Sequence, residues 1–217
     1  MIIVLIIAAF VIFAGFSIAS SHARKQALSE SAAQRGWTFH EGNDRRFDDR
    51  FPLNALERGS SRYAYNRSSG REEGFLVHAF DYHYETSSGT GSDRKETSHY
   101  FSGILIEASG LGLQPLAIRP EGFFDRLVSN FGFNDIDFES EEFSRAFHVS
   151  GPDKRFAYEV LTQPVMSRLL NHQDLSFEFH PTGLLVFDGR TWDPPRFDEV
   201  MRVALELAGN QRPREGS

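Results

Sequence analysis

The histidines are the side chains whose spacing could support chemistry in this sequence. His83 and His99 flank a polar stretch from Thr86 to Thr97 that contains Gly89 and Gly91 and predicts a hairpin tip. If the hairpin turns about Gly91, His83 lies opposite His99, with β-carbons about 5 Å apart. Two imidazoles at that separation can share a metal ion, so His83 and His99 are candidate metal ligands.

A complete metal site needs more ligands than this pair supplies. His78 differs from His83 in strand parity, so on an unbroken strand its side chain points to the other face. Asp81 or Glu85 shares the parity of His83 and could add a third ligand. Zinc sites use three or four protein ligands, and the sequence contains no Cys. We therefore expect two surface histidines, and neither a bound metal nor another cofactor.

A second group of candidate ligands is acidic. The carboxylates alternate strictly with other residues along one stretch, which contains Asp135, Asp137, Glu139 and Glu141. On a strand all four would line one face, and clustered oxygens are the ligands that Ca²⁺ prefers. A calcium loop wraps around its ion, however, whereas a flat strand spreads its carboxylates along its length. We expect a solvated strand face.

Catalytic and nucleic-acid-binding signatures are missing from the sequence. It has no phosphate-binding glycine loop with lysine, no Gly-x-Ser-x-Gly and no His-Glu-x-x-His. The formal charge of -7 removes the general attraction to phosphate backbones on which nucleic-acid binding depends. These absences favour a non-enzymatic protein that does not bind nucleic acid.

The stretch from Ile2 to Ala19 contains no charged residue and is almost wholly apolar. As a helix it would measure about 27 Å, close to the thickness of the hydrocarbon core of a bilayer. We predict a transmembrane helix over residues 1–20. The alternative is a cleaved secretory signal, for which Ser17 and Ala19 offer small residues, but no Lys or Arg precedes the apolar run.

Basic residues follow this apolar stretch. Arg24 and Lys25 come first and Arg35 comes later, with Glu30 as the one acid among them. Positive charge next to a membrane segment favours retention of that end in the cytoplasm. The predicted location is the cell membrane, with a single pass and the body of the protein in the cytoplasm.

The remaining chain has the composition of one folded domain. Residues 21–36 are rich in helix-forming residues and predict a helical stalk that ends at Gly36. Residues 37–209 predict a globular domain, which 21 Phe in the whole chain would help to fill, and residues 210–217 a disordered tail. Because runs of strands precede runs of helices, the fold class is α+β, built on antiparallel sheet with packed helices.

Individual elements follow from periodicity and turn signals. Asn66 to Gly70 predicts a hairpin turn between two strands, and Glu121 to Asn130 a helix that faces the core. Strands are predicted at Asp135 to Phe138 and Phe143 to Val149. Alternation in Leu175 to His180 predicts a half-buried strand that begins a hairpin. Asp153 is a predicted cap for a helix through Leu161, and Pro164 marks the first turn of a second helix. The last helix contains Phe197, Val200, Met201, Ala204, Leu207 and Ala208 at helical spacing.

One stretch also resembles a known family. The residues in question are an acidic segment around Ser140 that ends at Phe143, the Phe147-His148-Val149 strand, Asp153, and Leu161-Thr162-Gln163-Pro164. This pattern, within about residues 138–170, is similar to an uncharacterised family of bacterial membrane-anchored proteins known as a domain of unknown function. The resemblance implies a membrane-attached α+β domain and implies no activity.

Two functions remain in competition. The first is a single-pass, membrane-anchored, non-enzymatic domain that binds a protein or lipid partner or another ligand. The second is an extracytoplasmic metal-dependent hydrolase or binding domain that uses His83 and His99. The compartment and the metal content distinguish them.

Overall fold

The computed structural model describes residues 21–89, 93–121 and 135–212. Within them one sheet has eight antiparallel strands in the order β1-β2-β3-β4-β8-β7-β5-β6. The strands are β1 Thr38–His40, β2 Ser60–Glu72, β3 Phe75–Ser88, β4 Lys95–Glu107, β5 Leu116–Pro120, β6 Phe147–Ser150, β7 Ser176–His180 and β8 Gly183–Phe187. The predicted α+β class with antiparallel sheet is confirmed.

The helices precede, interrupt and follow these strands. A helix over residues 21–34, called α1 here, comes first. The others are α2 Phe47–Arg50, α3 Glu141–Ala146, α4 Lys154–Val160, α5 Gln163–Leu169, a short 3-10 helix Leu170–His172, and α6 Pro194–Asn210. The last three α-helices occupy the positions that periodicity and capping residues predict.

Alternation along each strand divides the hydrophobic core between the two faces of the sheet. One face, called the helix face, packs against α1, the three short helices α3 to α5, and α6. Its buried residues include Val77, Ile104, Ile106, Phe177, Phe179, Leu184 and Val186. The other, called the loop face, packs against the segment 44–58 through Phe80, Tyr82, Tyr84, Phe101, Leu105, Leu185 and Phe187. The central strands are therefore covered on both sides.

The helix α1 is part of this core. It coincides with the predicted stalk and ends before Gly36, whose φ of 70° suits glycine. Leu28 and Ala32 are buried with the residues of the helix face. Hence α1 is not a free stalk but lies on the sheet.

Two predicted elements take a different form. The turn between β2 and β3 is Glu73-Gly74, because Glu72 pairs with Phe75 and both turn residues have positive φ, as a tight hairpin requires. The predicted turn at Asn66 to Gly70 is instead an irregularity within β2, where the ladder shifts between Tyr65 and Ser68.

The predicted acidic strand is also shorter than expected. Asp135 makes an isolated bridge to Ser150, and α3 begins at Glu141 after the cap Ser140. The four carboxylates therefore do not share a strand face. The sequence from Phe143 forms the rest of α3 before β6 begins.

Other predictions fall outside the described residues, namely the transmembrane helix over residues 1–20, almost all of the helix at 121–130, and residues 213–217 of the disordered tail predicted at 210–217. Asn210, the first residue of that predicted tail, is the last residue of α6. Among the residues that the structure does describe, no helix is both long enough and apolar enough to cross a membrane.

Gly70 allows a close contact where α1 leads into the sheet. A β-carbon at Gly70 would overlap the indole ring of Trp37, which is buried against it. We expect Gly70→Ala to lower the free energy of unfolding by about 1–3 kcal/mol through overpacking. The matched control is Gly209→Ala in α6, where the added carbon meets open space and should stabilise the protein by up to about 1 kcal/mol. Thermal melts of both variants test this, and equal Tm values would contradict it.

Candidate functional site

A cluster of polar side chains surrounds a buried carboxylate in the middle of the sheet. Asp81 on β3 is fully buried on the helix face. Its Oδ2 accepts hydrogen bonds from Arg24 at 2.5 Å and from Asn66 at 2.8 Å. Its Oδ1 accepts from Arg24 at 2.9 Å and from Ser102 at 2.6 Å. We call this cluster the Asp81 junction.

Each donor comes from a different element. Arg24 lies in the first turns of α1, and Ser102 lies directly opposite Asp81 in the register of β4. Asn66 sits in the irregularity of β2 and has a φ of 46°, a conformation that asparagine tolerates better than most residues. The junction therefore joins α1 to three neighbouring elements of the fold in one buried ion pair.

The loop before α6 is tied to the same residues. Trp192 donates its backbone N–H to Ser102 Oγ at 2.9 Å, and its carbonyl accepts from Arg24 at 2.7 Å. Its indole N–H donates to Asp188 at 2.8 Å. Arg24 thus contacts both the sheet and the approach to α6, so α1 is held from two sides.

The surroundings of Arg24 favour its charged form. Burial disfavours the charged form of Arg24, but the hydrogen bond and the negative charge of Asp81 outweigh it, so the pKa of Arg24 is raised. Asp81 already accepts four hydrogen bonds, about as many as a carboxylate can. All of these hydrogen bonds go to groups of the protein itself, so the junction fixes α1 against the sheet.

The predicted pair of metal ligands does not form. His83 pairs with Tyr100 and Tyr84 pairs with His99, one residue away from the predicted register. A shift of one residue moves a side chain to the other face of a sheet. His83 consequently lies on the helix face and His99 on the loop face.

The two histidines differ in burial, and His83 is not the surface residue that the sequence predicts. His83 is buried against the ring of Tyr63, with ring centroids 4.6 Å apart, and its Nδ1 lies 3.1 Å from the carbonyl oxygen of Ser61. His99 stacks on Tyr84 at 4.7 Å, and its Nε2 lies 2.8 Å from the hydroxyl of Thr86.

The acids suggested as third ligands do lie on the face of His83. Asp81 is committed to Arg24, and the nearest oxygen of Glu85 is 3.9 Å from His83 Nε2. Across the described ranges, no group of three or more His, Asp or Glu side chains could hold a metal ion.

A second buried carboxylate lies on the loop face of β7. The sequence predicts a half-buried strand here, but β7 is buried on both faces from Ser176 to Phe179. Glu178 on β7 is 2% exposed and accepts hydrogen bonds from the backbone N–H and side chain of Asn54 and from the N–H of Ala55. Burial raises the pKa of Glu178, while the charge of Arg119 on β5 opposes that rise. These contacts clamp the segment 44–58 onto the sheet.

A crevice beside the Asp81 junction runs between α1 and α6. Leu28, Trp37, Phe197 and Met201 are among the side chains that line it, and Arg35 lies at its rim. Its cavity volume is about 30 Å³, room for about two water molecules.

Comparison with known proteins gives a likeness of fold. No protein-family model matches the chain, and no curated protein matches it. The structure is similar to the crystal structure of the mycobacterial trehalose monomycolate transport factor A, TtfA, with a TM-score of 0.63 and 11% sequence identity. The match covers 89% of this chain and 98% of that one. At this identity the likeness establishes a shared fold.

Proposed function

We propose that this protein is a single-pass membrane-tethered domain that binds a protein or lipid partner in a transport-associated role, without catalysis of its own. The observation that carries the proposal is the position of Arg24. It follows the apolar run by five residues and is locked to Asp81 inside the sheet. If residues 2–19 span the bilayer, this lock holds the domain in a set orientation next to the membrane.

The structural likeness supports the transport-associated part of this proposal. The similar protein is named a trehalose monomycolate transport factor, and the match covers 89% of this chain. The Asp81 junction also supports a binding role over a catalytic one, because its charged groups bond to one another and, within the described residues, do not face a cavity that could hold a substrate. The partner itself stays open between a protein and a lipid.

The geometry of the sheet does not support the alternative function, a metal-dependent hydrolase or binding domain. It requires His83 and His99 to share one ion, and the register places their side chains on opposite faces of the sheet. No other observation in the described residues favours this activity.

We place the body of the protein in the cytoplasm on the basis of the charges that follow residue 19. A cytoplasm-active fluorescent reporter fused after Ser217 should work, and a phosphatase that requires the periplasm should stay inactive. Activity of the phosphatase on the unmodified chain would contradict this orientation.

A variant with reversed orientation is needed as a control for the reporter fusions, and it must leave the fold of the domain intact. Arg24 pairs with Asp81, and Arg35 pairs with Glu72 and Asp198, so replacing these arginines would damage the domain as well as the flanking charge. Insertion of three lysines after Met1 places positive charge on the other flank instead. This insertion should move the body out of the cytoplasm and exchange the two reporter results.

A further inference from the structure

A pocket lies on the loop face of the sheet, away from the Asp81 junction, between α2 and the edge formed by β1 and β2. His78 of β3 is among the side chains that line it, and we call it the His78 pocket. Its cavity volume is about 270 Å³. A cavity of about 150 Å³ already holds a benzene ring, so this one is large enough for a small organic molecule.

One wall of the His78 pocket is aromatic. Phe47 and Phe51 are buried, and their ring centroids lie 6.3 Å and 5.3 Å from that of His78. The guanidinium of Arg50 lies over both phenyl rings, at 5.5 Å and 5.8 Å. A flat apolar ring could pack against this wall.

Two guanidinium groups converge at the same pocket. Arg50 and Arg67 both donate to a single oxygen of Asp44, Oδ2, at 2.7 Å and 3.0 Å. Each guanidinium has five N–H donors, so one shared acceptor leaves most of them unused. The Nε of Arg67 is buried and has no hydrogen-bond partner within the described residues.

The irregularity in β2 explains how Arg67 reaches this site. Two residues, Asn66 and Arg67, occupy the interval between the paired positions Tyr65 and Ser68, where Phe80 alone stands on β3. Asn66 turns to Asp81 on the helix face, whereas Arg67 bonds Asp44. Irregularities of this kind often direct a side chain toward a functional site.

His78 contributes an acceptor. Its Nε2 lies 2.8 Å from Glu107 Oε1. An ionised carboxylate can only accept, so Nε2 carries the proton in this pair. Burial lowers the pKa of His78 although Glu107 opposes that change, and a neutral ring leaves Nδ1 as an acceptor. The pocket thus combines an aromatic wall, spare cationic donors and one acceptor.

We propose that the His78 pocket binds a small aromatic anion, that is, a flat ring that carries a phosphate or carboxylate group. The anionic group bonds the free N–H groups of Arg50 and Arg67, and the ring packs on Phe51 and His78. Guanidinium groups suit such oxyanions because two parallel N–H donors match two acceptor oxygens. This proposal is independent of the membrane tether.

The test is calorimetric titration of the full chain in detergent with phenyl phosphate. We expect saturable binding with a Kd below about 1 mM. Inorganic phosphate and phenol, which represent the two halves of the probe, should each bind at least about tenfold more weakly. An absence of saturable phenyl phosphate binding would overturn the proposal.

Substitutions distinguish binding in the His78 pocket from unspecific binding elsewhere on the protein. Arg50 is half-exposed at the mouth, so Arg50→Gln should fold and still weaken phenyl phosphate binding by about tenfold or more. Arg67→Gln, checked for folding by its thermal melt, should weaken it further. The matched control is Arg155→Gln, which removes an exposed arginine paired with Glu159 and should change nothing. Unchanged affinity in Arg50→Gln would overturn the proposal.

Discussion

Replacing Asp81 with alanine is expected to lower the free energy of unfolding by about 3–5 kcal/mol, the usual cost of removing one partner from a buried ion pair. Asp81 is fully buried, and Arg24 retains 23% of its side-chain exposure. The substitution leaves the guanidinium of Arg24 partly buried without its counter-charge and deprives Asn66 and Ser102 of their acceptor.

The Asp81 junction can also be broken by replacing Arg24. Arg24→Ala leaves a buried carboxylate with two neutral donors, and we expect a similar loss. In the double variant the losses should not add, because each single change already breaks the same contact. The matched control is the exposed pair of Arg155 and Glu159 on α4, where Glu159→Ala should cost less than about 1 kcal/mol.

The measurement is denaturant unfolding of the full chain in detergent, followed by tryptophan fluorescence. Trp192 donates to Ser102 at the junction itself, and both Trp192 and Trp37 are buried, so the signal reports on this part of the core. A loss below about 1 kcal/mol for Asp81→Ala would show that α1 is held by its apolar contacts and not by the ion pair.

Much of the C-terminal third could be predicted from the sequence because its signals are local. The alternation of Phe177 and Phe179 with polar residues fixes the faces of β7, and the turn at Pro181 to Gly183 fixes its hairpin. Asp153 accepts from the backbone N–H groups at the start of α4, as its position predicts. Strand alternation, turn residues and helix caps each lie within a few residues of the element that they specify.

The register of β3 and β4 is predicted one residue off when it is taken from the hairpin tip at Gly91. The residues in the middle of the two strands carry the better information. Symmetry about Gly91 would set Asp81 opposite Phe101, a carboxylate against a core phenyl ring. The observed register sets Asp81 opposite Ser102, which donates to it, and Phe80 opposite Gly103. Matching polar with polar residues along the strands could have found this arrangement.

The pairing of Arg24 with Asp81 could not be predicted, because 57 residues separate them and a single sequence gives no sign of such a contact. From the sequence Arg24 is expected to help set the membrane orientation, which the structure does not test, whereas the structure shows its ion pair with Asp81. The segment 44–58 likewise shows little periodicity, yet Leu53 and Leu56 in it are completely buried.

In the proposed arrangement the domain is tethered to a membrane through residues 2–19, which come shortly before the helix α1. Hydrophobic burial of residues 2–19 in a bilayer would resist salt and alkaline carbonate, whereas a charge-based attachment would not. A chain that begins at residue 21 keeps Arg24, Leu28 and Ala32 and so keeps the contacts of α1 with the sheet. This truncated chain is therefore the matched control.

The most direct measurement is carbonate extraction of cell membranes that contain either chain, with the mass of each recovered protein determined. We expect the full chain to stay in the membrane pellet at its uncleaved mass. The chain that begins at residue 21 should appear in the supernatant with a cooperative thermal melt. Recovery of the intact, uncleaved full chain in the supernatant would contradict the tether, and a product cleaved after Ala19 would identify the apolar stretch as a secretory signal instead.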